Sequence, residues 1–127
     1  MKASDLKELA HEHLDDARAL GDAKRFAGAM YLAGYAVECA LKFQISRTLG
    51  WDDFPPSAEH RALKSHDLNF LLDYSGKLLE VKEEYLDDWQ IVEKWNPDMR
   101  YGARTGFVAE VYSKYVASVE KLLTLWI

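Results

Sequence analysis

Cysteine is all but missing from this sequence: Cys39 is the only one in 127 residues, so no disulfide can form within the chain. It lies inside an apolar stretch and reads as a core thiol in a reducing compartment, because a catalytic thiolate needs a basic, partly exposed setting. Proline is scarce as well, and two of the three residues are adjacent, at Pro55 and Pro56. Strand pairs bounded by hairpin turns are absent, and so is any internal repeat. An apolar leader is also missing: residues 1–16 are charged, so no signal peptide is expected and the cytoplasm is the expected address. Positive charge is in deficit, with 16 Lys and Arg against 21 Asp and Glu and a net charge of −5. That balance argues against a broad surface for coating nucleic acid and leaves room for a local basic cleft. The length suits one domain, residues 1–127, able to bury a core without staples.

What the sequence does have is one long apolar stretch, Phe26 to Ile45, interrupted only by Glu38, Lys42 and Gln44. At 3.6 residues per turn, Phe26, Met30, Val37 and Leu41 form a bulky line, and Ala29, Ala33, Ala36 and Ala40 form a line of methyl groups. A helix of this kind is buried on several sides. It is about as long as a bilayer core is thick, but two opposite charges near its end and the lack of a second span argue against a membrane. Tyr31, Tyr35, Glu38 and Lys42 follow steps of four, three and four, so the polar atoms share one edge. The spacing of Glu38 and Lys42 favours a solvated i, i+4 pair, with a role in a site as the alternative.

A first helix is expected from Ser4, which can cap it, with Leu6, Leu9, Ala10, His13, Leu14, Ala17 and Leu20 facing inward. His11 and His13 are two apart, a spacing that suits no metal pair on a helix. Gly21 and Asp22 end this helix, and the central one runs to about Leu49, where Gly50 supplies a left-handed stop. A long loop follows, Trp51 to Ser65, whose two prolines exclude a helix. His60, Arg61, Lys64 and His66 stand at its far end. Ser65 or Asp67 can cap a short third helix that Gly76 ends. A fourth is expected from about Leu78 to Trp95, with Leu79, Leu86 and Trp89 on one side and the acidic residues outside. Asn96, Pro97 and Asp98 then make a turn presenting Arg100 and Tyr101 to the last helix. There Val108, Val111, Tyr112, Tyr115, Val119, Leu122, Leu123 and Trp126 recur at steps of three and four. The fold expected is all-α, an antiparallel bundle of four to five helices.

Three segments together, YLAGYAVECALKFQI, SHDLNFLL and KWNPDMRYG, resemble the HEPN domain (higher eukaryotes and prokaryotes nucleotide-binding) over nearly the whole chain. The resemblance implies a helical bundle that pairs with itself, leaving a polar cleft at the dimer seam. It implies a nucleotide or RNA as ligand, and no cofactor. Many members are metal-independent endoribonucleases of toxin–antitoxin or defence systems, neutralised by a nucleotidyltransferase-like antitoxin, whereas others bind without cutting. The ribonuclease motif is an Arg followed four to six residues later by His, a spacing that Arg61 and His66 satisfy.

The chemistry of such a pair needs no family. Cutting RNA without a metal requires taking a proton from a 2′-OH and stabilising charge on the phosphate. Histidine suits the first task and the planar fork of arginine the second. On a two-fold axis one His66 can act as base and its copy as acid. Lys64, Glu38, Lys42, Arg100 and Tyr101 are the candidate ligand contacts. Arg100 and Tyr101 stand where a turn opens a helix, a seat for phosphate, or else Arg100 bonds Glu38 inside the bundle. His66 equally suits a structural part, its ring bonded to backbone or packed under the loop. The competing function is a non-catalytic helical subunit that binds a nucleotidyltransferase-like protein.

Overall fold

A computed structural model of the chain describes residues 1–96 and 107–127, and these contain six α-helices and one 3-10 turn but no strand. The bundle is therefore all-α. Helix α1 (Ala3–Asp22) does not use Ser4 as its cap; Lys2 holds that position, and Ser4 lies in the first turn. The reason is a backbone contact: the Ala3 N–H donates to the Asp52 carbonyl at 2.8 Å, satisfying a free donor that a hydroxyl would otherwise serve. Phe54 N–H donates to the Met1 carbonyl at 2.7 Å, so the loop after the central helix is tied to the start of α1.

Helix α1 ends at Gly21 and Asp22, as expected, and Tyr112 packs over Gly21 so closely that a Cβ would overlap the phenol ring. The chain turns at Lys24, which takes the left-handed conformation (φ 62°), and enters α2 (Phe26–Leu49). Gly50, at φ 70°, ends α2 as its sequence position suggests. Along α2 the methyl line Ala29, Ala33, Ala36 and Ala40 is fully buried. Helix α1 runs antiparallel on α2, with Leu20 beside Gly28, His13 on Tyr35 and Lys7 over Phe43.

After α2 the expected loop contains a 3-10 turn at Ala58–Leu63, which buries Leu63 and carries Arg61 on its exposed side. Helix α3 (Leu68–Ser75) is capped by Asp67, whose carboxylate accepts the Phe70 N–H at 3.1 Å, and Gly76 (φ 79°) closes it. The single fourth helix expected from the sequence is two, α4 (Leu78–Glu84) and α5 (Leu86–Val92), broken at Tyr85. Leu79 and Leu86 point to solvent, and the inner line is instead Leu78, Val81 and Tyr85, then Trp89, Val92 and Trp95. Helix α6 (Ala109–Trp126) buries Tyr115, Val119, Leu122, Leu123 and Trp126, whereas Val108 and Val111 are exposed. The helices share one core. Among the described residues no helix is long and apolar enough to cross a membrane.

Candidate functional site

Glu38 is the charged residue that the apolar helix α2 carries deepest, 3% exposed. A carboxylate so far from water must be met by donors, and it meets two. Its Oε2 accepts from Lys42 Nζ at 3.0 Å, and its Oε1 lies 2.6 Å from His66 Nδ1. The solvated pair expected from the spacing is thus corrected: the Lys42 side chain is only 12% exposed and lies over the Phe54 ring as well as against Glu38. The helical repeat aligns Glu38 with Lys42, but burial of three flanks of α2 turns that edge inward.

His66 reaches Glu38 because it immediately precedes α3, which packs on α2. Asp67 fixes the start of α3, and the Asp67 N–H donates to Ser65 Oγ at 3.0 Å, so the residues on either side of His66 are held in place. The structural reading of His66, a ring bonded to backbone or tucked under the loop, is replaced by a ring bonded to a buried carboxylate. With a carboxylate as acceptor, Nδ1 carries the hydrogen and Nε2 is the free nitrogen. The His66 side chain remains 52% exposed.

An aromatic cluster surrounds the pair. Tyr35, one turn before Glu38, makes edge contacts with His66, Tyr31 and Trp95 at centroid distances of 5.9, 5.3 and 5.2 Å, and meets His13 at 5.6 Å. Burial, and then the charge of Glu38, push the Tyr35 phenol up to about 12. The same two causes push the Cys39 thiol up to about 12, which keeps it protonated and inert. The core assignment of Cys39 therefore stands on its burial.

A cavity of about 330 Å³ opens beside this cluster, lined in part by His13, Tyr35, Glu38, Lys42, Phe54 and Lys64. Lys64 and Phe54 also line a second cavity of about 420 Å³, and Arg61 stands in that one with Ser57. The two cavities are therefore neighbours that share wall residues. Arg61 and Lys64 make no ion pair among the described residues, so both are available to an anion. The structure brings Lys42 and His66 onto Glu38, sets Lys64 on the wall of both cavities and places Arg61 on the wall of the second. Arg100 and Tyr101 lie outside the described residues.

Sequence reasoning missed the contact between Glu38 and His66 and the part played by Tyr35 and His13. The polar edge of α2 signals Tyr35 and the spacing of α1 turns His13 inward, but nothing in either pattern signals that the two rings meet. Among the described residues no three His, Cys, Asp or Glu side chains gather as metal ligands. In comparisons with known proteins the chain matches no family model and has no significant match among curated proteins or solved structures.

Proposed function

We propose that this chain is an HEPN-like protein of the cytoplasm that binds nucleotide or RNA, with His66 as the proton-transfer group of a metal-independent endoribonuclease. The observation that supports this most is the 2.6 Å contact of His66 Nδ1 with a carboxylate that is itself buried and held by Lys42. A carboxylate behind an imidazole fixes its tautomer and orientation, aims Nε2 outward and stabilises the imidazolium when a proton arrives. In such a reaction Nε2 takes the 2′-OH proton, the 2′-oxygen bonds to phosphorus, and the bond to the 5′-oxygen breaks as that oxygen gains a proton. The second His66 of a homodimer supplies that proton. Arg61 and Lys64, as cations without an ion pair among the described residues, take the phosphate charge.

The test is labelled RNA incubated in EDTA with wild-type, His66→Ala and Arg61→Ala proteins. Loss of cleavage by about 100-fold or more in His66→Ala is expected, the usual range for a general acid or base. Cleavage that survives in His66→Ala, or that no protein shows, ends the catalytic reading. Toxin-like action neutralised by a nucleotidyltransferase-like partner belongs to the same proposal, and co-expression with such a protein should abolish the cleavage.

A second reading, a helical subunit that binds another protein, draws on a different face. There Ile91 and Val111 are exposed beside a groove of about 290 Å³ floored by Met30, Trp95 and Tyr115. Ile91→Lys with Val111→Lys should break a protein complex on that face and leave RNA cleavage intact.

A further inference from the structure

The two neighbouring cavities share Phe54 and Lys64 but differ in character, and that difference points to a ligand with two unlike ends. The walls of the first are Leu6, Leu9, Tyr35 and Phe54, apolar surface with two aromatic rings, and His13 stands among them. The imidazole of His13 meets Tyr35 at a tilt but makes no hydrogen bond among the described residues, so its nitrogens are available to a donor or acceptor edge. The second cavity has Arg61, Lys64 and Ser57 on its walls. Lys64 belongs to both. The volume of the first, about 330 Å³, falls at the small end of the range for small-molecule pockets, about 300 to 1,000 Å³, and suits one planar ring system rather than a stack.

We infer that the first cavity takes a single nucleobase and the second takes the phosphate of the same nucleotide. A base enters between Tyr35 and Phe54, His13 reads its edge, and Lys64 and Arg61 hold the phosphate. The direction follows from the lining: on the wall of the first cavity Lys42 is already paired with Glu38 amid apolar and aromatic surface, while the second presents Arg61 and Lys64, which have no ion pair among the described residues. A neutral aromatic ring suits the first cavity because it stacks on aromatic faces and needs few polar partners. This inference rests on the proposed nucleotide-binding site and adds to it that one subunit recognises one unstacked nucleotide.

Calorimetric titration of the full chain with AMP, UMP and ribose 5-phosphate tests this, with a single-stranded RNA titrated in parallel. AMP or UMP should bind about 5- to 150-fold tighter than ribose 5-phosphate, the range that stacking one base supplies. Leu9→Trp fills the first cavity without touching a charge; it should bring the nucleotides to the level of ribose 5-phosphate and leave ribose 5-phosphate unchanged. His13→Trp serves the same purpose should Leu9→Trp lose its cooperative thermal melt. Arg61→Ala should weaken all three ligands by the same factor. Equal binding of AMP, UMP and ribose 5-phosphate to wild type overturns the base pocket while leaving the RNA site standing, as does RNA binding with no small ligand bound. Binding of neither RNA nor any nucleotide removes both readings.

Discussion

Removing the Glu38 carboxylate takes an acceptor from two donors at once, and the two respond differently. Lys42, nearly buried, is left with a charge that nothing compensates, whereas the half-exposed His66 ring can turn to water. Glu38→Ala should therefore lower stability by about 3 kcal/mol or more, the cost of breaking a buried pair from one side. Glu38→Met with Lys42→Met should recover most of that loss in urea denaturation, since an apolar replacement of a buried pair is close to neutral. Neither variant can orient His66, so both should lose RNA cleavage. A double variant no more stable than the single would mean that the pair holds the fold rather than the imidazole. Cys39 makes a second prediction. Its thiol, raised from 9.0 to about 12, binds its proton more tightly folded than unfolded. The stability this contributes is fully present below pH 9 and is lost as pH rises towards 12. Tyr35, raised from 10.0 to about 12, acts in the same direction over the upper part of that window. The urea midpoint should fall over this window more for wild type than for Cys39→Ala, and a thiol reagent at pH 8 should label Cys39 only on unfolding.

At the level of elements, α2 was the most legible part of the chain. Its line of methyl groups, its glycine stop and its buried flanks are all periodic features, and periodicity is what sequence displays. Close approach is not, and two glycines show why. At Gly34 a Cβ would overlap the indole of Trp95, whose Nε1 donates to the Tyr31 carbonyl at 3.0 Å. At Gly28 the nearest neighbour, Leu20, would be 3.4 Å away. Gly34→Ala should therefore destabilise by about 1 to 3 kcal/mol through overpacking. Gly28→Ala should be neutral or stabilising by up to about 1 kcal/mol through helix propensity. Thermal melts of the two variants in parallel check this, and equal melting temperatures would contradict the packing of Trp95 on α2. The break between α4 and α5 was not legible, because no proline or glycine marks it. The steps from Leu78 to Val81, Tyr85, Trp89 and Val92 are helical throughout, but the acidic residues between them obscured which apolar residues belonged to the line.

For the molecule as a whole, the site was legible in its parts and illegible in its assembly. Arg61, His66, Glu38 and Lys42 each stand out by residue type and spacing, but Glu38 and His66 are 28 residues apart and separated by a proline-bearing loop. Only the packing of α3 on α2 brings them together, and packing across a loop leaves no period in the sequence. The charge balance sets the last expectation. A net charge of −5 argues against a continuous basic face for RNA, and the site offers two cations, Arg61 and Lys64, that have no ion pair among the described residues. Each phosphate contact on a single strand contributes about −0.7 to the slope of log K against log salt concentration, so two contacts predict a slope of about −1.4. Lys64→Ala should reduce it to about −0.7, whereas a variant on α6 that lines neither cavity, such as Lys121→Ala, should leave it unchanged. A wild-type slope steeper than about −4 would require a wider cationic surface than these two residues provide, and the RNA would then be held elsewhere on the protein.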